Sequence, residues 1–339
     1  MTVVRPLRVL VVGATGTIGR ATVRALLRAG HDVTCVVRPH RAAGDVVPRG
    51  GSPNRPTGDA ALAGAVVRTG QVTDPTSLVR DGFAGESFDA VVSCLASRSG
   101  APRDAWSIDH QANLHLLDAA RRAGVRHFVL LSAICVQKPR LAFQHAKLAF
   151  ERALMASGIT WSIVRPTAYF KSLSGQVQRV QQGRPFLVFG DGTLTRCKPI
   201  GNDDLGTFLA GCLDDPSRQG RILPIGGPGP ALTPREQGEL LFAAVGRPPR
   251  FRSVPVALLD AIAGTLGALG TVIPALADKA EFARIGRYYA TESMLVWDAE
   301  AGRYDAEATP AFGEQTLAEH YSRLVRGEVE DDRGAHAVF

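Results

Sequence analysis

A glycine-rich turn near the start of the chain most constrains what this sequence folds into. Arg8–Val12 is a short apolar run, typical of a strand buried on both faces, and GATGTIG follows it at once. Residues 20–30 then show a helical pattern that ends at Gly30. Glycines at such a turn let backbone amides approach a pyrophosphate, and the helix N-terminus favours negative charge. The motif predicts a dinucleotide site, with a simple glycine turn as the alternative. The residues expected to contact the dinucleotide here are Gly13, Thr15, Gly16, Thr17, Ile18 and Gly19.

The same strand-then-helix pattern repeats along the first half of the chain. Strands are expected at 32–38, 65–68, 88–94, 127–132 and 160–165, and helices at 106–123 and 143–157. This alternation predicts an α/β fold with a doubly wound parallel sheet of the Rossmann type. We expect a cofactor-binding domain at 1–168 and a smaller, mixed substrate-binding region at 169–339, partly interleaved with the first. Residues 39–60 are rich in Pro, Gly and Arg and are predicted to be an exposed loop.

Fewer regular patterns follow residue 166. Residues 185–196 are predicted to form a strand and turn, and residues 203–213 a helix. Thr233 begins a helix-start signal, because Pro234 suits the first helical position and Glu236 completes a capping box.

Composition excludes several classes of protein. The 339 residues are 45% apolar and 21% charged, which is ordinary for a globular chain and excludes disorder, collagen and coiled coil. The net charge is +7 and only five of the 39 basic residues are lysine. This excess of arginine reflects either a codon bias toward Arg or a positive electrostatic field that attracts acidic ligands. The basic residues are dispersed and not interleaved with aromatic residues, so no nucleic-acid partner is expected.

The cysteines and the first residues of the chain indicate the cellular compartment of the protein. The five cysteines form no CxxC pair and are odd in number, so we expect no disulfide framework and no metal site. The first residues run straight into a strand and lack a signal-peptide layout. Both observations favour a reducing cytoplasm.

Arg38 stands at the end of the second predicted strand, where NAD-binding proteins carry an acidic residue for the ribose hydroxyls. An arginine there pairs instead with the 2′-phosphate of NADP, so NADPH is the expected cofactor. An arginine that only faces solvent is the alternative.

Residues 261–277 carry no charge. The segment is short for a membrane span and contains three glycines and Pro274. We expect a buried or lid helix beside an apolar ligand. A helix lying on a membrane surface, as in a weakly associated peripheral protein, and a true span are the alternatives.

The order of these motifs resembles the short-chain dehydrogenase/reductase superfamily, in its NmrA-like and isoflavone-reductase-like branch. The resemblance covers roughly residues 7–250. The residues that carry it are GATGTIG, Arg38, GQVTD at 70–74, Ser132, Lys147 and RPT at 165–167. Within this branch, residues 128–151, 196–200 and 292–298 are most similar to the vinyl-reductases of chlorophyll and bacteriochlorophyll synthesis. That resemblance implies NADPH-dependent reduction of the 8-vinyl group of a divinyl chlorophyllide or protochlorophyllide, a tetrapyrrole, to an ethyl group.

The chain departs from the superfamily at the usual proton donor. Typical members carry Tyr-x-x-x-Lys, with the tyrosine protonating a carbonyl oxygen, and here the spacing reads Phe143 to Lys147. Phenylalanine has no exchangeable proton, so alcohol dehydrogenase and sugar epimerase activities are not expected. Reduction of a carbon–carbon double bond forms no alkoxide and does not need this tyrosine.

The resemblance implies roles for three residues around this position. Lys147 is expected to bind the nicotinamide ribose and to help protonate or orient the substrate, with a solvated surface lysine as the alternative. His145 is a weaker candidate for the proton donor, because a spacing of two does not place it on the same helix face as Lys147. Ser132, at a strand end, is a catalytic candidate or a hydrogen-bonding residue of that strand end.

Further residues follow from the same resemblance. The additional expected cofactor contacts are Gln71, Val72, Cys94, Ala96, Pro166 and Thr167. Tyr169 and Phe170 either stack on a flat conjugated ring or belong to the core. Arg196 and Lys198 either bind a substrate carboxylate or are solvated loop charges.

Two other functions stay open from the sequence. One is an NADPH-dependent reductase of a different conjugated alkene, and the other is a non-catalytic NmrA-like regulator or assembly factor that binds NADP. Substrate-dependent oxidation of NADPH distinguishes both from the vinyl-reductase. The proton donor, the oligomeric state and the choice between chlorophyllide and protochlorophyllide are not determined by the sequence.

Overall fold

The computed structural model describes residues 5–39, 59–270 and 274–329. The strands within them are β1 (Arg8–Val12), β2 (Asp32–Val37), β3 (Val66–Thr69), β4 (Ala90–Ser93), β5 (His127–Leu131), β6 (Thr160–Pro166), β7 (Phe186–Phe189), β8 (Arg221–Ile225), β9 (Phe251–Val254), β10 (Val296–Asp298) and β11 (Arg303–Asp305). The helices are α1 (Thr17–Arg28), α2 (Pro75–Ser77), α3 (Pro102–Ala105), α4 (Asn113–Arg122), α5 (Ala142–Met155), α6 (Phe170–Leu173), α7 (Val177–Gln181), α8 (Asn202–Asp214), α9 (Pro234–Val245), α10 (Val256–Gly270), α11 (Pro274–Thr291) and α12 (Leu317–Val325).

Seven parallel strands form the central sheet in the order β3-β2-β1-β4-β5-β6-β8. The chain therefore winds outward from β1 in one direction, returns, and continues from β4 in the other. The carboxyl ends of β1 and β4 lie at this switch point, where open α/β sheets bind their ligands. The predicted Rossmann-type fold is confirmed.

Hydrophobic cores cover both faces of the sheet, which explains the continuous apolar run of β1. Val9 and Val11 face one core together with α1 and α8. Leu10 and Val12 face the other core, with α4 and α5. Helices α1 and α8 touch backbone to backbone, since a Cβ added at Gly206 would lie 2.5 Å from the carbonyl carbon of Ala21.

The later part of the chain adds smaller elements at the edge of this sheet. Strands β7 and β9 pair in parallel, and β10 and β11 form a separate antiparallel pair. Helices α7, α9 and α12 and strand β7 enclose a third core. Helix α9 starts as predicted, because Thr233 and Glu236 form a reciprocal capping box and Pro234 occupies the first turn.

The structure differs from the prediction in two segments. Residues 106–123 do not form one α-helix, because Trp106–Ala112 is a π-helical turn that precedes α4. The uncharged residues 261–277 do not form one helix either, since α10 ends at Gly270 and α11 begins at Pro274. Within the described ranges, every helix is too short or too polar to cross a membrane. The predicted loop at 39–60 lies almost entirely outside the described residues.

Candidate active site

The turn between β1 and α1, residues 13–19, forms a phosphate loop in which glycine is required. Gly13 has φ +81°, and a Cβ there would lie 2.6 Å from the backbone carbonyl of Cys94. A Cβ at Gly19 would lie 2.1 Å from the Gly13 oxygen. Thr15 and Gly16 are exposed, whereas Ile18 is buried beneath them. The loop thus presents backbone to solvent at the N-terminus of α1, as a pyrophosphate needs.

A lysine that the sequence analysis missed reaches the same helix end. Lys171, on α6, donates from Nζ to Oγ1 of Thr17 at 2.7 Å. The first turn of α1 contains no acidic residue. The ammonium group and the helix N-terminus therefore supply positive potential at one place. No local motif indicates this contact, because 154 residues separate its two partners.

Arg38, Gln71 and Val72 lie at the opposite end of the expected cofactor site. Arg38 is exposed directly after β2, whose last residue Val37 pairs with Thr69 at the end of β3. Gln71 is exposed, and its amide donates to Ser77 Oγ at 2.9 Å. Val72 is buried in the sheet core. The structure thus brings Arg38 and Gln71 to the ends of two neighbouring strands.

Lys147 is held by a carboxylate that the sequence analysis also missed. Its Nζ lies 2.9 Å from Oδ1 of Asp109, and the two side chains are 12% and 0% exposed. The Ser97 amide donates to the same carboxylate at 3.3 Å. Asp109 lies in the π-helical turn, a feature that is frequent at functional sites. The ion pair fixes the direction of the ammonium group near the end of β4.

Ser132 and His145 are placed differently from Lys147. The Ser132 hydroxyl donates to Glu151, a buried carboxylate that also pairs with Arg165. His145 is exposed on α5. In this structure the Ser132 proton is therefore committed to an internal network, and the His145 ring faces solvent.

Phe143 stands where the superfamily carries its tyrosine, and it packs against the later part of the chain. It borders a small core that contains Ile285 of α11. A Cβ at Gly100 would lie 3.6 Å from Phe143 Cδ1 and 2.8 Å from Ile285 Cδ1. The close packing of helix α11 over this position leaves no room for a larger residue at Gly100.

Helix α11 is anchored to the sheet end by polar contacts. Tyr288 donates its hydroxyl to the carbonyl oxygens of Cys135 and Lys138, at 2.9 and 3.1 Å. The buried Glu281 accepts from the Ala142 amide at 3.3 Å. Gln144 donates to the Cys135 carbonyl from the other side at 3.1 Å. These contacts fix α11 above the end of β5.

Four side chains lie near the ends of β4, β5 and β6, and we call them the tyrosine–cysteine cluster: Cys135 interacts with both Tyr169 and Tyr289, and Cys94 interacts with Tyr169. Tyr289 Oη lies 4.0 Å from Cys135 Sγ. Burial raises the pKa of the Cys94 thiol to about 12. Burial, and then the neighbouring Cys135, raise the pKa values of both tyrosine hydroxyls. All four groups therefore stay protonated near neutral pH.

The other predicted residues after β4 and β6 have mixed environments. Ala96 is exposed. Pro166 ends β6, and Thr167 is buried with its hydroxyl donating to the Lys198 carbonyl. Phe170 is a buried ring in the third core and lies against His320, with 5.1 Å between the ring centroids.

Arg196 and Lys198 do not share one environment. Lys198 donates from Nζ to the carbonyl of Thr309 at 3.0 Å. Arg196 is exposed. The pKa of Glu236 is lowered, mainly by hydrogen bonds from Thr233 and to a smaller extent by the Arg196 guanidinium. Lys198 is thus tied to the backbone, whereas Arg196 keeps an exposed guanidinium.

An apolar groove of about 540 Å³ runs between α10 and α11. The sequence did not predict a cavity at this place. Its lining residues are Leu259, Ile262, Leu266, Asp278, Lys279, Phe282, Ala283 and Gly286. Phe282 is 42% exposed and Ile262 is 39% exposed. A volume of this size lies in the usual range for small-molecule sites.

These features fit a dinucleotide cofactor. The phosphate loop, Lys171 and Arg38 offer backbone amides and cations along one edge of the sheet, and Lys147 lies near the end of β4, where the nicotinamide is expected. Among the described residues, no three His, Cys, Asp or Glu side chains converge as a metal site would require.

Comparison with known proteins defines the class first. The model of a family described as NAD(P)H-binding matches residues 13–216. The structure of leucoanthocyanidin reductase with NADPH from Vitis vinifera has the same fold, with a TM-score of 0.64 and 18% identity, covering 94% of this chain and 99% of the other. The chain is an NAD(P)H-binding protein with a Rossmann-type fold.

Two curated relatives then define the family. A divinyl chlorophyllide a 8-vinyl-reductase from Oryza sativa subsp. indica is 50% identical over 98% of this chain and 82% of its own length. The protein of the same name from Zea mays is 49% identical over the same shares. Both relatives are described as chloroplastic. This chain belongs to the divinyl chlorophyllide a 8-vinyl-reductase family.

Proposed function

We propose that this protein is an NADPH-dependent oxidoreductase that reduces the 8-vinyl group of divinyl chlorophyllide, or of its protochlorophyllide counterpart, to an ethyl group. Family membership, at 50% identity over nearly the whole chain, is the observation that carries the proposal. Phe143 agrees with it, because a phenylalanine leaves carbonyl chemistry without its usual acid while alkene reduction needs none at that position.

The cofactor lies along the carboxyl edge of the sheet in this proposal. The phosphate loop and Lys171 hold the pyrophosphate, and Arg38 pairs with the 2′-phosphate. Gln71 and Val72 flank the adenine, while Cys94, Ala96, Pro166 and Thr167 border the path to the nicotinamide. When bound, the reduced nicotinamide supplies a hydride, that is, one hydrogen together with two electrons.

Lys147 positions the nicotinamide ribose. The Asp109 carboxylate holds the ammonium group in one direction and also accepts a hydrogen bond from the Ser97 amide, so the site is organised before the cofactor arrives. Such preorganisation lowers the free-energy cost of holding the reacting atoms in place.

The apolar groove takes the tetrapyrrole. Its walls are almost wholly apolar, and the flat conjugated ring of a tetrapyrrole has little to hydrogen-bond on its faces. Tyr169, beside the nicotinamide end, stacks on the ring. Arg196 is the exposed cation available for a substrate carboxylate, since Lys198 is bound to the Thr309 carbonyl.

The outer side of α10 associates weakly with a membrane surface. Leu258 is 50% exposed there, and Asp260 is the helix's one charged residue. An apolar helix face rimmed by few charges partitions into the interface between lipid and water. Flotation with liposomes tests this, and Leu258→Ser should reduce the bound fraction without changing turnover. Equal flotation of both proteins would overturn the membrane proposal.

Anaerobic incubation of the purified protein with NADPH and divinyl chlorophyllide a tests the function. We expect the Soret band to shift and the product mass to increase by two hydrogen atoms. NADPH that binds without any change in the tetrapyrrole would overturn the vinyl-reductase function and favour another alkene or a cofactor-binding regulator.

A further inference from the structure

Reduction of a vinyl group needs a proton as well as a hydride, and the three predicted catalytic residues are occupied or misplaced for donating it. The Ser132 hydroxyl donates to buried Glu151. His145 faces solvent on α5. Lys147 is the counter-charge of Asp109, and giving up its proton would leave a buried carboxylate unpaired, which is costly.

Tyr289 occupies a different position from these three residues. Helix α11 carries it over the ends of β4 and β5, and its hydroxyl lies 4.0 Å from Cys135 Sγ. Lys147 and Tyr169 both act electrostatically on groups of the same cluster. The Tyr289 hydroxyl therefore lies in the region to which the nicotinamide end of the cofactor site leads.

The apolar groove and the same tyrosine share one face of α11. Phe282 and Gly286 line the groove, and Tyr289 follows them at helical positions i+7 and i+3, on one face of α11. Tyr289 as a whole is 37% exposed, although its hydroxyl is directed inward to Cys135. A flat substrate that extends beyond the groove along this helix face would bring one end to the Tyr289 side chain.

We propose that Tyr289 is the proton donor of the reduction, supplied by the α10–α11 hairpin in place of the tyrosine that Phe143 replaces. The π bond between the two vinyl carbons breaks and two C–H bonds form. One carbon takes the hydride with its two electrons, and the other takes the proton from Tyr289 Oη. The resulting phenolate oxygen recovers its proton from water that enters after the product has left. This inference rests on the proposed vinyl-reductase function.

The raised pKa of the Tyr289 hydroxyl is compatible with this role. Burial has the largest effect, followed by the Cys135 thiol. The phenol is therefore kept neutral, with its proton in place, throughout the physiological range, as a buried acid must be before it donates.

Tyr289→Phe tests the inference and keeps the ring while removing the proton. General acid catalysis typically contributes about 10²–10⁴-fold, so we expect kcat to fall by a factor in that range. Fluorescence titration of the free protein should give NADPH and substrate Kd values within about two-fold of the wild type. The solvent deuterium isotope effect on kcat should rise, because water then has to protonate the carbon slowly.

Tyr288→Phe is the matched control. It removes a neighbouring phenol that donates to the Cys135 and Lys138 carbonyls, so it should lower the melting temperature but leave the solvent isotope effect unchanged. Tyr289→Phe with kcat within three-fold of an active wild type would overturn the proton-donor inference. A wild type that leaves the vinyl group intact would instead overturn the proposed function, so the two failures are distinct.

Discussion

The phosphate loop and the α10–α11 hairpin achieve recognition in opposite ways. The loop offers backbone, and its glycines leave no space for a Cβ at Gly13 or Gly19. The hairpin offers side chains, with Phe282 and Tyr289 both exposed on α11 and Phe282 lining the groove. In the proposed function, a cofactor shared by many enzymes is bound through rigid backbone, whereas the apolar substrate is bound through side chains. Variants in the loop should therefore change NADPH binding, and variants in the hairpin should change substrate handling.

The largest effect is expected at the phosphate loop. Gly13→Ala places a Cβ 2.6 Å from the Cys94 backbone at a positive φ, and it should abolish NADPH binding. Strain and overpacking together should lower the free energy of unfolding by about 2–5 kcal/mol. Isothermal calorimetry and urea unfolding measure the two quantities.

Gly30→Ala is the control for backbone strain alone. Gly30 has φ +85°, and nothing lies within 4 Å of an added Cβ. This variant should lose only about 1–2 kcal/mol and keep its NADPH affinity. Equal NADPH affinity in the Gly13 and Gly30 variants would contradict the role assigned to the loop.

The next effect concerns the buried ion pair of Lys147 and Asp109. Lys147→Met leaves the Asp109 carboxylate buried without a counter-charge, so the apoprotein should lose about 3–5 kcal/mol of unfolding free energy. Adding Asp109→Asn should restore much of that loss. A double variant no more stable than Lys147→Met would show that the pair is not coupled. Urea unfolding of the wild type, Lys147→Met, Asp109→Asn and the double variant measures this.

Arg38→Glu should weaken NADPH binding by about 10–100-fold, because a charged hydrogen bond to the 2′-phosphate contributes about 1.5–3 kcal/mol. NADH affinity should not fall. Arg152→Glu, an exposed charge change on α5, is the control and should leave both affinities unchanged. Parallel loss of NADH and NADPH binding would mean that Arg38 acts on the fold and not on the phosphate.

The smallest effect is expected in the hairpin. Phe282→Ala removes apolar contact worth about 1–2 kcal/mol, so the substrate KM should rise about 5–30-fold while NADPH affinity stays constant. Leu258→Ala, which lies on α10 but not in the groove lining, should not change KM. If both variants raise KM equally, the groove is not the substrate site.

The difference between the two regions also explains what the sequence was able to predict. The phosphate loop, β1 and the Thr233 cap depend on neighbours in the chain, so local pattern was sufficient for them. Asp109 was missed because the π-helical turn that holds it departs from the 3.6-residue period.

The hairpin depends on contacts between distant residues. Tyr289 meets Cys135 across 154 positions, and no periodicity indicates such a contact. The uncharged run at 261–277 was expected to form a buried or lid helix, but most of its described residues are exposed and it is divided between α10 and α11. Lys171 was missed for the same reason as Tyr289.

The central claim is that hydride from NADPH and a proton from Tyr289 together reduce the vinyl group. The origin of the two added hydrogen atoms tests this claim most directly. Turnover of divinyl chlorophyllide a is followed by product mass, first with deuteride-labelled NADPH in H₂O and then with unlabelled NADPH in D₂O. We predict one deuterium at the former vinyl group in each experiment, one delivered as hydride and one through the exchangeable Tyr289 hydroxyl. Both deuteria from a single source, or an unchanged vinyl group in either experiment, would contradict the account.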